Sequence, residues 1–428
     1  MILKFCFCLK YKFKFKETEN KDDKLIAETL HNIGRCYTNL KSNEEAIEYL
    51  NEALTLKYEI SDQFDLSISD TYKQMSIVYE NLKDLKKSNT YLDLMVEIYL
   101  KNYDDEDEII AETLLKIANN YKQINEFNQA IAYYKRSLDA YKIIYEENTI
   151  NEKIGTILKQ IGFCFIPLRD FTMSNDYLNQ SLRVLFKLKQ YEQIGNVLNT
   201  VGVNLQQIGD YFNSTDYLTK AIYLYTVYPS EDRKSEFALV WVNIANNYRF
   251  MGDFKKSTEC LNQALNLYTH ALNEDIGDIK KEAKVLAQSN LADTYSHIGI
   301  NHLNLKDFKK ALELFNKAYE IYINIFDSNH ISIAQVCSNL GATFQIAGEY
   351  EKSVEFLSKS LEIFKKIYST DPTHTSIQTC TDNLEESKRL LHWKRNYAMS
   401  IIVTPIKSVM NFLSKALHVL TAQVPNHF

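Results

Sequence analysis

The sequence predicts an all-α protein, a solenoid of about eight helix-turn-helix repeats with a C-terminal capping helix. Three observations carry that prediction. Gly (11) and Pro (5) are scarce in 428 residues, which favours long helices over a β-sandwich or a loop-rich enzyme. A set of small residues returns about every 42 positions, as in Gly34, Ser76 and Ala118. Each copy also holds two stretches with apolar residues at a period near 3.6, separated by a turn.

The repeat is read column by column. The first small residue is Gly34, then Ser76, Ala118, Gly162, Gly202, Ala245, Ala292 and Gly341. Three residues on comes Tyr37, then Tyr79, Tyr121, Phe165, Leu205, Tyr248, Tyr295 and Phe344. A second small column runs Ala46, Ser88, Ala130, Ser174, Ser214, Ser257, Ala311 and Ser353. A third runs Ala53, Met95, Ser137, Ser181, Ala221, Ala264, Ala318 and Ser360, broken only by Met95. Small side chains at fixed places let two helices approach closely, and the neighbouring Tyr and Leu fill the grooves beside them. These columns therefore specify a packed hairpin and carry no chemistry of their own.

The turns have a separate signal. Gly209-Asp210-Tyr211, Gly252-Asp253-Phe254 and Gly348-Glu349-Tyr350 place a glycine where a helix ends and an acid where the next begins. Glycine suits the left-handed C′ position, and the acid complements the helix dipole. Pro167 should close or kink the first helix of copy four. Copy seven is irregular: five extra residues fall near 272–282 and seven more follow Gly299. A seven-residue insertion nearly preserves helical phase, so the first helix of that copy should be about two turns longer than its siblings. The acidic run 104–108 reads as a charge cluster ahead of a helix. Residues 374–394 read like a lone first helix, as an array's polar cap should.

The order small-x-x-Tyr, Gly-Asp-Phe/Tyr, Ala, Ala resembles the tetratricopeptide repeat, and Trp241 stands at that family's Trp position. The longer repeat, with SNLGATF (338–344), VNIANNY (242–248) and NHISIA (329–334), resembles the kinesin-light-chain type. The long heptad coiled coil that precedes the repeats in an intact kinesin light chain is absent. The resemblance implies a right-handed superhelix whose first helices line a concave, peptide-binding groove. Together with the reading of the two ends, it leads to a domain plan of tail 1–24, repeat array 25–372, capping helix 373–394, and C-terminal amphipathic helix and tail 395–428.

The remaining features narrow the function. Net charge is −6 with both signs interspersed, which argues against a general nucleic-acid binder. Seven scattered cysteines suit free thiols in a reducing compartment, and Cys6-x-Cys8 has no second pair to complete a metal site. There is no Gly-rich phosphate loop, no HExxH and no Gly-x-Ser-x-Gly, so no catalytic residue, cofactor or metal is expected. Basic-aromatic residues 1–24 lack the unbroken apolar core of a signal peptide, and a cytoplasmic location is expected. Ile402, Ile406, Val409, Leu413, Ala416 and Leu420 form an a/d stripe that would dock on the array, dimerise, or meet a membrane surface through 398–422.

What is left is the inner surface implied by the resemblance. Asn offers both donor and acceptor, so a ladder of Asn can hold an extended peptide by its backbone. The candidates are Asn32, Asn119, Asn199, Asn243, Asn246, Asn290 and Asn339, with Arg35 and Arg249 available to pair an acidic peptide. The same asparagines would serve equally well as hydrogen bonds between neighbouring first helices. The expected function is a scaffold or adaptor holding a protein or peptide partner. A membrane-tethered adaptor and a peptide-sensing regulator are the alternatives.

Overall fold

A computed structural model describes residues 23–103, 107–145, 150–229, 234–273 and 281–397. The tail 1–22, the centre of the acidic run and the stripe at 402–420 lie outside them. The described residues contain seventeen α-helices and no strand. They divide into two units, at residues 1–208 and 209–428.

In the first unit the helices are α1 (Asp23–Leu40), α2 (Asn43–Ile60), α3 (Leu66–Asn81), α4 (Leu85–Asn102), α5 (Glu108–Gln123), α6 (Phe127–Ile144), α7 (Glu152–Phe165), α8 (Phe171–Lys187) and α9 (Tyr191–Ile208). The second unit has α10 (Tyr211–Val227), α11 (Lys234–Phe250), α12 (Phe254–Asn273), α13 (Lys281–Asn304), α14 (Phe308–Ile325), α15 (Ile331–Ile346), α16 (Tyr350–Ile367) and α17 (Thr375–Tyr397). Within each unit every helix packs on the next. The odd-numbered helices are the first, or A, helices of the hairpins, and the even-numbered ones are the second, or B, helices.

The small columns do what their size suggests. A Cβ on Gly34 would lie 2.6 Å from Leu50 Cγ, and one on Gly341 2.6 Å from Leu357 Cγ. The A helix thus presses its bare backbone against a leucine of its own B helix. One turn on, the aromatic column stacks across the hairpin: Tyr37 on Tyr49, Tyr79 on Tyr91, Tyr121 on Tyr133, Phe165 on Tyr177, Phe344 on Phe356. Serines of the third column return a hydrogen bond to the opposite backbone. Ser137 donates to Ala111 O, Ser181 to Gly155 O and Ser360 to Ala334 O, each at 2.7 Å.

The turns use the left-handed region more widely than glycine alone indicates. Gly209, Gly252 and Gly348 adopt it, as expected, and so do Lys41, Lys83, Asn125, Arg169 and Lys306 at the same place in other copies. Each forces the chain round so that the next residue can cap the B helix. Asp84, Asp170, Asp210 and Asp307 each accept a hydrogen bond from the backbone N–H three residues on. The longer Glu126 and Glu349 make no such side-chain cap. α7 ends at Phe165, two residues before Pro167.

Copy seven corrects the sequence reading. α13 has 24 residues, against 16 in α15 and 17 in α11, so the long first helix is present. Its extra turns, however, precede the repeat core and do not follow it. Gly299, not Ala292, faces the B helix at the first small position: its Cβ would lie 2.7 Å from the Phe315 ring. Lys306 takes the positive φ of the turn, seven residues after Gly299, as Lys41 does after Gly34. Ala292 belongs to a further small column, seven residues earlier, with Ala27, Ala111, Gly155 and Ala334. A heptad shift preserves phase, so both alignments satisfy the hydrophobic pattern and only the turn and the packing partner separate them.

Candidate functional site

The A helices carry their buried apolar residues toward the B helices. The residue just after the first small position and the one four places after the small position share one face of the A helix, and its burial varies: Arg35 and Asn119 are exposed, whereas Ile300 and Leu303 join the hydrophobic core. On α11 this face holds Asn246 and Arg249, with Asn243 beside them. All three are buried, with Arg249 only 9% exposed. The Arg249 guanidinium has no hydrogen-bond or ion-pair partner among the described residues, and its Nη2 is shut off from solvent. Burial lowers its pKa to about 10. Its side chain rests against the Phe250 ring, 5.6 Å from the centroid.

His297 approaches from α13. Its Nδ1 is likewise enclosed and unpartnered among the described residues. Burial, and then the positive charge of Arg249, lower its pKa to about 3. The ring is therefore neutral at pH 7. The arrangement is a confined cation beside a neutral imidazole, with amides one turn away. It offers hydrogen bonds and half of an ion pair to an acceptor.

The other candidates are more ordinary. Asn32 turns back on its own helix and donates to Glu28 O at 2.9 Å. Arg35 is exposed on α1. Asn119, exposed on α5, accepts from the Tyr134 hydroxyl at 2.6 Å. Asn199 is half-buried on α9, and Asn339 half-buried on α15. Asn290 lies on α13 two turns ahead of the place its alignment gave it, which His297 holds instead. Of the nine, Asn32 and Arg35 neighbour each other on α1, and Asn243, Asn246 and Arg249 follow at intervals of three along α11, where all three are buried.

The asparagines that join one hairpin to the next are a different set, one residue further along. Asn120 donates to Asn89 Oδ1 at 2.8 Å, Asn204 to Ser174 Oγ at 2.8 Å and Asn175 Oδ1 at 2.9 Å. Asn247 donates to Ser214 Oγ at 2.7 Å, and Asn301 to Ser257 Oγ at 2.8 Å. All four are buried. Each reaches from an A helix to the preceding B helix, where the alternative would be an unsatisfied polar group. The second small column, often Ser, is the sequence signal that identifies them.

The fold and this stapling define a class, a solenoid of stacked helix hairpins. Profiles of the tetratricopeptide repeat match residues 67–143 and 290–366, and further ones match 27–59 and 238–269. The chain is a tetratricopeptide repeat protein. No curated protein sequence matches it. Among solved structures it is similar to a STAND signal-transduction ATPase with a tetratricopeptide repeat sensor from Pyrococcus horikoshii, at 12% identity and a TM-score of 0.51. That match covers 94% of this chain and 54% of the other, so the chain spans about half that protein's length. BtubC (BKLC) from P. vanneervenii is 16% identical, with a TM-score of 0.41 over 61% of this chain and 96% of that one. The apo form of RapI is also 16% identical, with a TM-score of 0.39 over 69% of this chain and 97% of that one. At these identities the likeness concerns the fold alone.

Among the described residues no three His, Cys, Asp or Glu side chains are grouped to hold a metal, and no helix is long and apolar enough to cross a membrane. Cys164, Cys260, Cys337 and Cys380 are buried free thiols. Burial raises the pKa of each above its ordinary value, which makes them poor nucleophiles.

Proposed function

We propose that the protein is a non-catalytic scaffold that holds a protein or peptide partner on the A-helix face, with α11 and α13 supplying the main contact in the second unit. The observation that carries this is Arg249. A buried guanidinium without a counter-charge destabilises a fold, and its retention needs a reason. A carboxylate of a bound peptide would supply one, accepting from Arg249 while Asn246 and Asn243 bind peptide amides. Membership of the tetratricopeptide family supports the reading.

The domain plan follows the same logic. Ser387 of α17 meets Ser353 at 2.8 Å, the place where hairpin joins hairpin. From that alignment, Gln378 and Glu385 stand where the other A helices carry their small residues, and both are exposed. Such a face cannot receive a B helix closely, so α17 acts as the cap and the array ends with α16.

The test is selection of peptides from a random display library by the wild-type protein, followed by affinity measurement. Selected peptides should carry Asp or Glu, and Arg249→Ala should weaken them at least tenfold with the helical circular dichroism signal unchanged. Equal affinity for wild type and the triple Asn243/Asn246/Arg249 alanine variant would sink the proposal.

A further inference from the structure

The A-helix face of the first unit carries a second feature, independent of Arg249. Lys122 on α5 donates to Gln160 Oε1 at 2.5 Å and lies 5.7 Å from the centroid of Phe163. Lys159 on α7 donates to Gln193 Oε1 at 2.6 Å, and Gln193 Nε2 donates to Gln190 Oε1 at 3.0 Å. Nearby lysines find acids: Lys116 pairs with Glu80 at 2.8 Å, and Lys153 with Glu108 at 2.8 Å and Glu112 at 2.5 Å. Lys122 and Lys159 have no carboxylate within ion-pair distance among the described residues.

Both ammonium groups are half-buried and held by neutral amide oxygens. They are linked through α7, where Gln160, which holds Lys122, directly follows Lys159 in the chain. Burial first, and then the charge of Lys122, lower the pKa of Lys159, opposed only by Glu152 two turns back on α7. Two like charges fixed together without an anion repel, and the glutamines orient them without neutralising them. Because each glutamine oxygen is occupied by a lysine, the Gln160 amide N–H groups are left as donors. The site thus offers two formal positive charges and several N–H donors, beside the flat wall of Phe163.

We propose that Lys122 and Lys159 receive a dianionic phosphate monoester, the phosphorylated serine or threonine of a partner peptide lying along α5, α7 and α9. A carboxylate brings one negative charge and would leave one ammonium uncompensated. A phosphate brings nearly two charges and three acceptor oxygens. The inference rests on the reading of the A-helix face as the partner surface, and it adds that recognition in the first unit depends on phosphorylation.

Isothermal titration at low salt uses three probes: N-acetylphosphoserine amide, inorganic phosphate and N-acetylglutamate amide. The phosphoserine probe should bind at least tenfold more tightly than the glutamate probe. The Lys122→Met/Lys159→Met double variant should lose that binding by tenfold or more, and Lys187→Met, which removes an exposed lysine elsewhere, should keep it within twofold. A Lys122→Gln/Lys159→Gln variant retains polar side chains and should lose binding equally, with an unchanged melting profile. No binding of the phosphoserine probe, undiminished binding in the double variants, or equal binding of the glutamate probe would overturn the proposal. Binding of inorganic phosphate without the phosphoserine probe would overturn its assignment to a peptide. The Arg249 experiment uses unphosphorylated peptides and a residue of the other unit, so either reading can fail while the other stands.

Discussion

Lys122 on α5 and Arg249 on α11 hold the same place in the repeat, four residues after the first small position. They live in opposite surroundings. Lys122 is half-exposed, bonded to Gln160 and flanked by lysines that have found acids. Arg249 is buried and unpartnered, and an uncharged imidazole faces it. The backbone scaffold is common to both, so the difference is made entirely by the residues that the repeat leaves unspecified. It shows that a tetratricopeptide array can alter the character of its binding face from one hairpin to the next without altering the hairpin.

The most damaging way to disturb this comparison is to break the shared scaffold. Gly299→Leu drives a side chain into the Phe315 ring and should cost about 3 kcal/mol or more in chemical denaturation, through overpacking. If Gly299→Leu is harmless and Ala292→Leu is not, the revised alignment of copy seven is wrong. Next come the staples. Asn120→Ala in the first unit and Asn247→Ala in the second should each lose about 1–3 kcal/mol, because each strands a buried hydrogen-bonding network. Asn246→Ala, one residue away, removes a buried side chain that makes none of these interhelical hydrogen bonds and should lose less, under about 1 kcal/mol. Equal losses for Asn246 and Asn247 would erase the distinction between binding face and staple.

Arg249→Met should work in the opposite sense. Removing an uncompensated buried charge should raise stability by about 1–2 kcal/mol while partner binding is lost. A destabilised Arg249→Met variant would mean that the guanidinium serves the fold and not a ligand.

Acid should act through two histidines, one in each unit. His297 has its pKa lowered to about 3, and His31, which meets Thr71 Oγ1 at 3.1 Å, has its pKa lowered to about 4, chiefly by burial and then by Lys57. Folded, each ring binds its proton less well than in the unfolded chain, where the ordinary value is about 6.5. Their stabilising effect is complete above about pH 6.5 and is lost as pH falls toward 4 and then 3. Melting temperature measured at pH 7.5, 6 and 4.5 should fall across that series, and His297→Asn with His31→Asn should flatten the fall.

The smallest effect concerns the turns. In the first unit the hairpin turns at Lys41, Lys83, Asn125 and Arg169 all hold non-glycine residues at positive φ, while the second unit uses Gly209, Gly252 and Gly348 as well as Lys306. Lys41→Gly should relieve the left-handed strain and stabilise by about 0.5 kcal/mol, the strain outweighing the added entropy of the unfolded chain. Gly252→Lys should cost a similar amount.

Much of this was legible in the residues themselves. The small columns, the aromatic three places on and the turn acids each answer to a local steric or electrostatic demand that recurs, and recurrence makes them visible. The Asn staples repeat too, yet they sit beside Asn119 and Asn246, and residue type alone does not show which neighbour points inward. Copy seven misled because seven residues is close to two helical turns, so hydrophobic phase fits either alignment.

The sequence alone determined the hairpin, its period and its helical class, because close packing tolerates few residues at few positions. The three-dimensional structure decided which polar groups are satisfied. Whether Arg249 is left without a partner, whether Lys122 and Lys159 meet amides instead of acids, and whether Asn246 or Asn247 is the staple depend on distances between helices about 40 residues apart in the chain. Those distances are set by stacking, which no local pattern encodes.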